Sequence, residues 1–414
     1  MRKTGNVKSK LKTFESFKVL AYRIYFSSMV FSWFSQSMQM IARTLLLYRI
    51  TGSAFDIGIM SLGQAIPTLV ISAFGGAVAD RLSKKYILLV CRSFSVLTTL
   101  GIALLLLTGN ISSERPDSWW FLFGAAVLEG IAGGFMQPAN MSIIPEIVGE
   151  QKVMNAISLS SMGQSIFRLI GPLLAGIIVD NYGFIQIFFV MCGINTLAAI
   201  TIAFMPYIKK KTQNVGNAFK DMFEGLRYLR AEPLVLILVL FTVCHAVAGS
   251  PYMNMMPVFT EDILMVGATE LGILTAASGI GAMLISLLIA SLPNKRRGLI
   301  AIFSGLVLGV PLIVFSFSNW WYLSLLMMPF LGMGTTVHST MTTTIIQTYV
   351  PPAYRGRMQG LISMSLGLAS LGTFLAGILT GMVGVQWAIG SLAIFLTVFS
   401  LYLLIFVPRL RKLD

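Results

Sequence analysis

Charge is scarce in this chain: Asp, Glu, Lys and Arg together make up 11% of its 414 residues. A soluble protein carries roughly 25%, so a surface turned wholly to water is excluded. Acids are scarcer than bases, 16 against 30. The three cysteines, Cys91, Cys192 and Cys244, lie far apart within apolar runs. That spacing implies neither a disulfide framework nor a metal site. No Gly-rich phosphate loop ending in Lys-Ser or Lys-Thr occurs, which counts against an ATP-driven pump. With so few polar residues, no carboxylate pair or Ser-His-Asp arrangement can be assembled. Neither an enzyme nor a cofactor is expected.

What the chain has instead is apolar length. Hydrophobic residues make up 56% of it, and its mean hydropathy is +0.81. Long apolar runs recur from end to end, and about 20 such residues cross a bilayer as a helix. Lipid offers no partner to free backbone groups, so these spans must be helical. The expected fold class is an all-α membrane protein with twelve transmembrane helices. The first six are expected at 24–48, 55–79, 86–108, 118–140, 155–179 and 184–207. The second six are expected at 234–259, 267–292, 299–317, 320–347, 358–382 and 386–407. This divides the chain into a basic tail (1–23), a first half (24–207), a linker (208–233), a second half (234–407) and a short tail (408–414). In the linker, Phe219, Met222, Phe223, Leu226 and Leu229 fall at helical spacing, the pattern of an amphipathic helix lying on the membrane surface. The basic tail leads into a long span without a small-residue cleavage site, so it does not read as a removable signal.

The net charge of +14 does not point to nucleic acid, because its distribution follows the membrane. By this reading 26 of the 30 basic residues fall on one side, with Arg92 counted in the loop between spans 2 and 3; Arg43, Arg49, Arg115 and Arg168 fall elsewhere. The opposite loops carry Glu114, Asp117, Asp180, Glu261, Asp262 and Glu270. Lys and Arg are retained in the cytoplasm, which places both termini there. Trp119, Trp120, Trp320 and Trp321 sit where an interfacial aromatic belt would put them.

The halves echo each other. Ser53-Ala-Phe-Asp-Ile-Gly58-Ile resembles Ala268-Thr-Glu-Leu-Gly272-Ile, and Gly171-Pro-Leu-Leu-Ala-Gly176 parallels Gly372-Thr-Phe-Leu-Ala-Gly377. Repeats of this kind place a substrate site near the midplane between the halves.

Between spans 2 and 3 stands Gly76-x-x-x-Asp80-Arg81-x-x-Lys84-Lys85. It resembles the loop signature of the major facilitator superfamily. The run Arg168-Leu-Ile-Gly171-Pro172-Leu-Leu-Ala-Gly176 is similar to that superfamily's antiporter motif, with Phe167 and Ala175 at two expected glycines. Pro138-Ala-Asn140, Ile144-Pro-Glu-Ile-Val148, Leu46-Leu-Tyr-Arg-Ile-Thr-Gly-Ser-Ala54 and Gly225-Leu-Arg-Tyr-Leu-Arg resemble the branch of macrolide efflux pumps and siderophore exporters. The resemblance spans nearly the whole chain. It implies two pseudo-symmetric six-helix halves and proton-driven export from a bacterial inner membrane, with drug:proton antiport as its type. It also implies a conformational latch in which Asp80 engages Arg355 or Arg357. The arginine expected in helix 4 of proton-driven drug exporters is absent, and Glu129 occupies that helix.

Charged groups inside a membrane are costly unless paired or facing water. Arg43, Glu129 and Arg168 are the candidates. Glu129 lies ten residues below Trp119, about 15 Å deep at 1.5 Å per residue. Either it carries a coupling proton or it forms a packing ion pair with Arg43 or Arg168. His245, and His338 deeper in its span, can each serve as a proton carrier or as a helix contact. Gln39, Gln64, Gln137, Asn140, Gln164, Asn254, Thr336 and Thr340 are candidates for a cavity lining, though amides and hydroxyls also join helices. The interior charges sum to +1, which favours anionic or zwitterionic substrates. The expected partners are the bilayer, a small amphipathic substrate and protons, with the chain working as a monomer. A protein that flips lysophospholipid or similar lipids is the rival class.

Overall fold

The computed structural model describes residues 14–206, 224, 227–291 and 296–411. The basic tail through residue 13, most of the linker (207–223, 225 and 226), and Lys295 and Lys412 lie outside the described residues. So does the side chain of Asp80.

The first half is built from α1 (Leu20–Thr51), α2 (Ala54–Arg81), α3 (Lys84–Leu107), α4 (Trp119–Val148), α5 (Val153–Tyr182) and α6 (Phe184–Ala203). Gly52 ends α1 in the left-handed conformation (φ 62°), a C-terminal position that glycine occupies without a Cβ penalty. Ser53 then caps α2, its hydroxyl accepting from the Asp56 amide at 3.3 Å. Two residues thus turn the chain back across the membrane. α4 runs eight residues past its expected end at Asn140, through Pro138 and Pro145. Membrane helices tolerate proline where the surrounding protein re-satisfies the freed carbonyls; within α4, Ser142 Oγ donates back to the Pro138 carbonyl at 2.8 Å.

The second half comprises α7 (Pro233–Gly249), α8 (Pro251–Val258), α9 (Ala268–Ser291), α10 (Arg297–Ser316), α11 (Trp321–Tyr349) and α12 (Pro352–Phe406), followed by α13 (Pro408–Arg411). The expected span 234–259 is broken. Pro251 lacks the N–H that would continue α7, and a π turn over Phe259–Ile263 follows α8. The two expected spans 358–382 and 386–407 run together as α12, non-helical inside only at Gly384 (φ 81°, ψ 159°).

Nine helices among the described residues are long and apolar enough to cross a membrane. α1 and the hydroxyl-rich α11 fall outside that set. With them, and with α12 divided at Gly384, the architecture is consistent with twelve spans.

Contacts between the halves gather at one membrane face, opposite the face that carries the start of α1. α2 packs on α12 and α5 on α9. A Cβ on Gly58 would stand 2.8 Å from Phe374 Cα, and one on Gly272 would stand 2.6 Å from the Pro172 carbonyl oxygen. Gly377 and Gly176 meet the Ala54 and Ala268 carbonyls in the same pseudo-symmetric way. Polar links complete the seal. Tyr48 Oη donates to Asp262, and Arg49 donates to Glu261 at 2.7 Å. The Asp180 carboxylate caps the start of α9, accepting from the Ala268 and Thr269 amides at 3.0 and 2.6 Å.

Near the terminal face, the described part of the linker docks on the protein. Leu229 is buried, Tyr228 stacks on Tyr354 at 4.4 Å, and Glu224 pairs with Arg357 at 2.6 Å. An amphipathic helix lying on the membrane was the expectation. Leu229 belongs to the main buried cluster, while Phe219, Met222, Phe223 and Leu226 lie outside the described residues.

Candidate functional site: a buried ion pair beside a cavity between the halves

Between the halves lies a cavity of about 530 Å³ lined by Ser61, Gln64, Ala65, Thr68, Leu69, Ser72, Gln137, Pro138, Met141, Asn254, Gly360, Met364, Gly367 and Ser370. Ser72, Met141 and Gly360 belong to the terminal-face ends of α2, α4 and α12. The cavity therefore opens toward the face away from the seal. No Asp, Glu, Lys, Arg or His is among these lining residues.

Of the residues expected to line a cavity, Gln64, Gln137 and Asn254 do so. Asn254 also donates to Thr373 Oγ1 at 3.1 Å, which joins α8 to α12. Asn140 is engaged elsewhere, accepting from the Tyr25 hydroxyl at 3.3 Å. Gln164 is exposed on α5, and Thr336 and Thr340 are half-buried on α11. The last four are not among the residues lining this cavity.

Just behind the cavity wall, α1, α2, α3 and α4 bring a polar network together. Arg43 donates to Glu129 at 2.6 Å. Its other terminal nitrogen donates to the Gln64 carbonyl oxygen. Gln39 and Thr98 donate to the second Glu129 oxygen, Thr98 at 3.3 Å. Both charged side chains are 10% exposed. Of the two pairings open to Glu129 in the sequence, the structure takes Arg43. Gln64 is the hinge of the arrangement, because the same side chain faces the cavity and holds the guanidinium.

Arg168 sits apart from this network, exposed at the centre of α5. The glycines that follow it are packing joints: a side chain on Gly171 would strike Ser37, and one on Gly176 would strike the start of α9. Pro172 is buried beside them.

His245 and His338 form one buried unit. Their rings stack at 4.0 Å and 8° between planes, at 5% and 4% exposure. Phe241 closes the stack edge-on at 5.1 Å. Neither is the isolated histidine the sequence suggested, because α7 and α11 cross where the two side chains meet.

Arg92, counted in the sequence as a loop cation, lies inside α3 at 2% exposure. It donates to the Met29 sulfur at 3.2 Å. It is an intramembrane charge that sequence reasoning missed. The signal was its position, six residues into the apolar run that starts at Tyr86.

Three basic residues of the expected latch have described contacts of their own. Lys84 pairs with Glu146 at the end of α4, and Arg355 Nε donates to the Val350 carbonyl at 2.8 Å. Arg357 pairs with Glu224 and lies 5.3 Å from the Tyr354 ring. Arg81 is exposed at the end of α2 and Lys85 half-buried at the start of α3.

Solved transporters share this fold. A POT family transporter in complex with 5-aminolevulinic acid superposes with a TM-score of 0.75 at 14% identity, covering 95% of this chain and 97% of that one. A D-xylose-proton symporter gives 0.70 at 14%, covering 94% and 98%. In sequence, the chain is 26% identical over 372 residues to the uncharacterized MFS-type transporter YfiS of Bacillus subtilis, covering 83% of each. It is 24% identical over 346 residues to the enterobactin exporter EntS of Shigella boydii, covering 82% of this chain and 80% of that one. The Major Facilitator Superfamily model matches residues 25–371 and 252–413. With its cavity between paired halves and its seal at one face, the chain is a multi-pass membrane transporter that belongs to the Major Facilitator Superfamily.

Proposed function

We propose that this transporter exports small amphipathic or hydrophobic compounds by alternating access, in exchange for protons bound at Glu129. The reading places it as a monomer in a bacterial inner membrane, both termini in the cytoplasm, its halves at 24–207 and 234–407. In that orientation the cavity opens to the cytoplasm, as loading of an exported compound requires.

The observation that carries the proposal is the double engagement of Gln64. Its side chain lines the cavity and accepts from Arg43, whose other end holds Glu129. A proton on Glu129 cancels the charge that holds Arg43 and leaves the guanidinium to Gln64. A ligand that draws the Gln64 carbonyl into the cavity leaves both ends of the guanidinium to the Glu129 carboxylate. Proton and ligand then exclude each other, which is the linkage exchange needs. Glu129 exchanges protons with whichever side the halves expose, and alternation between two arrangements of the halves supplies the rest.

The test uses proteoliposomes with a pH-sensitive dye inside and a panel of amphiphiles added one at a time. Wild type is expected to move protons in a substrate-dependent way, and Glu129→Gln to lose that flux. Transport without proton movement, equal in both proteins, makes the Arg43–Glu129 pair a packing device and favours lipid flipping.

A further inference from the structure

Arg168 is the exposed intramembrane cation that the network above does not use. At 3.6 residues per turn, Gly163, Phe167 and Gly171 share the α5 face that meets α1, through Trp33, Phe34 and Ser37. Leu169, Pro172 and Gly176 share the face that meets α9, through Gly279, Gly272 and Ala268. Two faces remain. One carries Ile166, Ile170 and Ile177, each at least 36% exposed, and is the apolar face turned to lipid. The other, opposite it, carries Ser161, Gln164 and Arg168, all exposed. Arg168 therefore points into the space between the halves.

Among the described residues Arg168 has neither an ion-pair nor a hydrogen-bond partner. Arg43 is neutralised by Glu129, and Arg92 is enclosed in the first half. With Arg92 inside the bundle the interior surplus is +2, shared between the enclosed Arg92 and the exposed Arg168. An arginine at mid-depth persists when it faces water or an anion, and its planar fork matches carboxylate and phosphate oxygens. α8 carries Asn254 into the amide-lined and hydroxyl-lined cavity.

We infer that Arg168 is the anchor for a single oxyanion group (carboxylate or phosphate) on an amphipathic substrate. This rests on the reading of the chain as an exporter of amphipathic compounds, and it assigns to that site a substrate charge and a residue. Arg168 here is a binding group and not a proton carrier.

The experiment measures binding and not transport, so failure of the export reading leaves it unaffected. Protein in phosphatidylcholine nanodiscs is dialysed against four probes sharing an octyl tail: octanoate, octyl phosphate, octyl glucoside and octyltrimethylammonium. Protein-free discs are subtracted. The anionic probes are expected to bind wild type about tenfold or more tighter than the other two, the scale of one charge-assisted hydrogen-bonded contact. Arg168→Gln is expected to erase that preference, and Arg168→Lys to retain most of it, which also shows that the site tolerates substitution. Equal binding of all four probes, or an unchanged preference in Arg168→Gln, overturns the inference. Competition by inorganic phosphate as strong as by octyl phosphate overturns it in favour of a free-anion site. Competition of that strength by phosphatidylglycerol in the disc overturns it in favour of a lipid headgroup site.

Discussion

A Cβ on Gly377 would stand 2.7 Å from the carbonyl oxygen of Ala54. Gly176 and Ala268 make the equivalent approach in the other half. These four residues lie in the two sequence echoes that mark the internal repeat. The repeat is therefore also the joint: in each half, the segment opening the second span receives a glycine from the fifth span of the other half. Only a residue without a side chain lets helices approach so closely.

Gly176→Val and Gly377→Val are each expected to prevent closure at the sealed face and to abolish cycling. Spin labels at Phe55 and Phe374, whose rings lie 5.6 Å apart, are expected to show a longer distance in either variant than in wild type. An unchanged distance with full transport contradicts the assignment of these glycines as the joint.

A reversible lock at the same seam follows. In a background without Cys91, Cys192 and Cys244, cysteines at positions 55 and 374 are expected to cross-link under mild oxidation. Transport then stops and returns on reduction. Cross-linked protein that still transports shows that the seam does not open during the cycle.

Glu129 and Arg43 separate when either is truncated. Glu129→Ala leaves Arg43 buried without its counter-charge, and a loss of about 3 kcal/mol is expected by analogy with broken buried pairs. The joint replacement Arg43→Met with Glu129→Leu removes both charges and is expected to cost less than Glu129→Ala alone. Thermal unfolding of the three proteins in one detergent decides it.

Arg92 contributes a buried charge whose described contact is a sulfur. Arg92→Met relieves that desolvation and is expected to leave the unfolding temperature equal or higher. A large drop shows that the guanidinium holds the bundle together.

The stacked histidines have no role in the exchange proposed at Glu129. His338→Phe keeps the aromatic contacts with Phe241 and His245 and is expected to change transport less than about twofold. As a conservative packing change it is expected to cost under about 1.5 kcal/mol of stability. Loss of substrate-dependent proton flux in that variant, with the protein still folded, moves the proton site to the second half.

Membrane architecture was legible in the residues because it depends on local quantities. Apolar length, the Trp pairs and the placement of cations place the spans, and most helix ends fall within about four residues of expectation. The departures have local causes that hydropathy does not weigh: Pro251 breaks a span, α4 passes through Pro145 without ending, and Gly384 turns the chain with so little loop that two spans read as one helix. The loop signature and the antiporter run likewise pointed to the superfamily before any contact was known.

Which polar groups meet depends on which helix faces turn toward each other, and periodicity along one helix does not contain that. Glu129 had two arginines within reach, and the crossing of α1 with α4 chose Arg43. Asn140 looked equivalent to Gln137, yet the three-residue offset turns it to Tyr25 instead of the cavity. Arg92 was counted with the loop by its neighbours in sequence and is enclosed by its neighbours in space. The chain by itself determined that it crosses a membrane repeatedly, in two related halves, with a few charges held inside. Only the tertiary structure decided which of those charges are neutralised and which one, Arg168, is exposed without an ion-pair partner among the described residues. Burial and counter-charge belong to the packed bundle, not to any single segment.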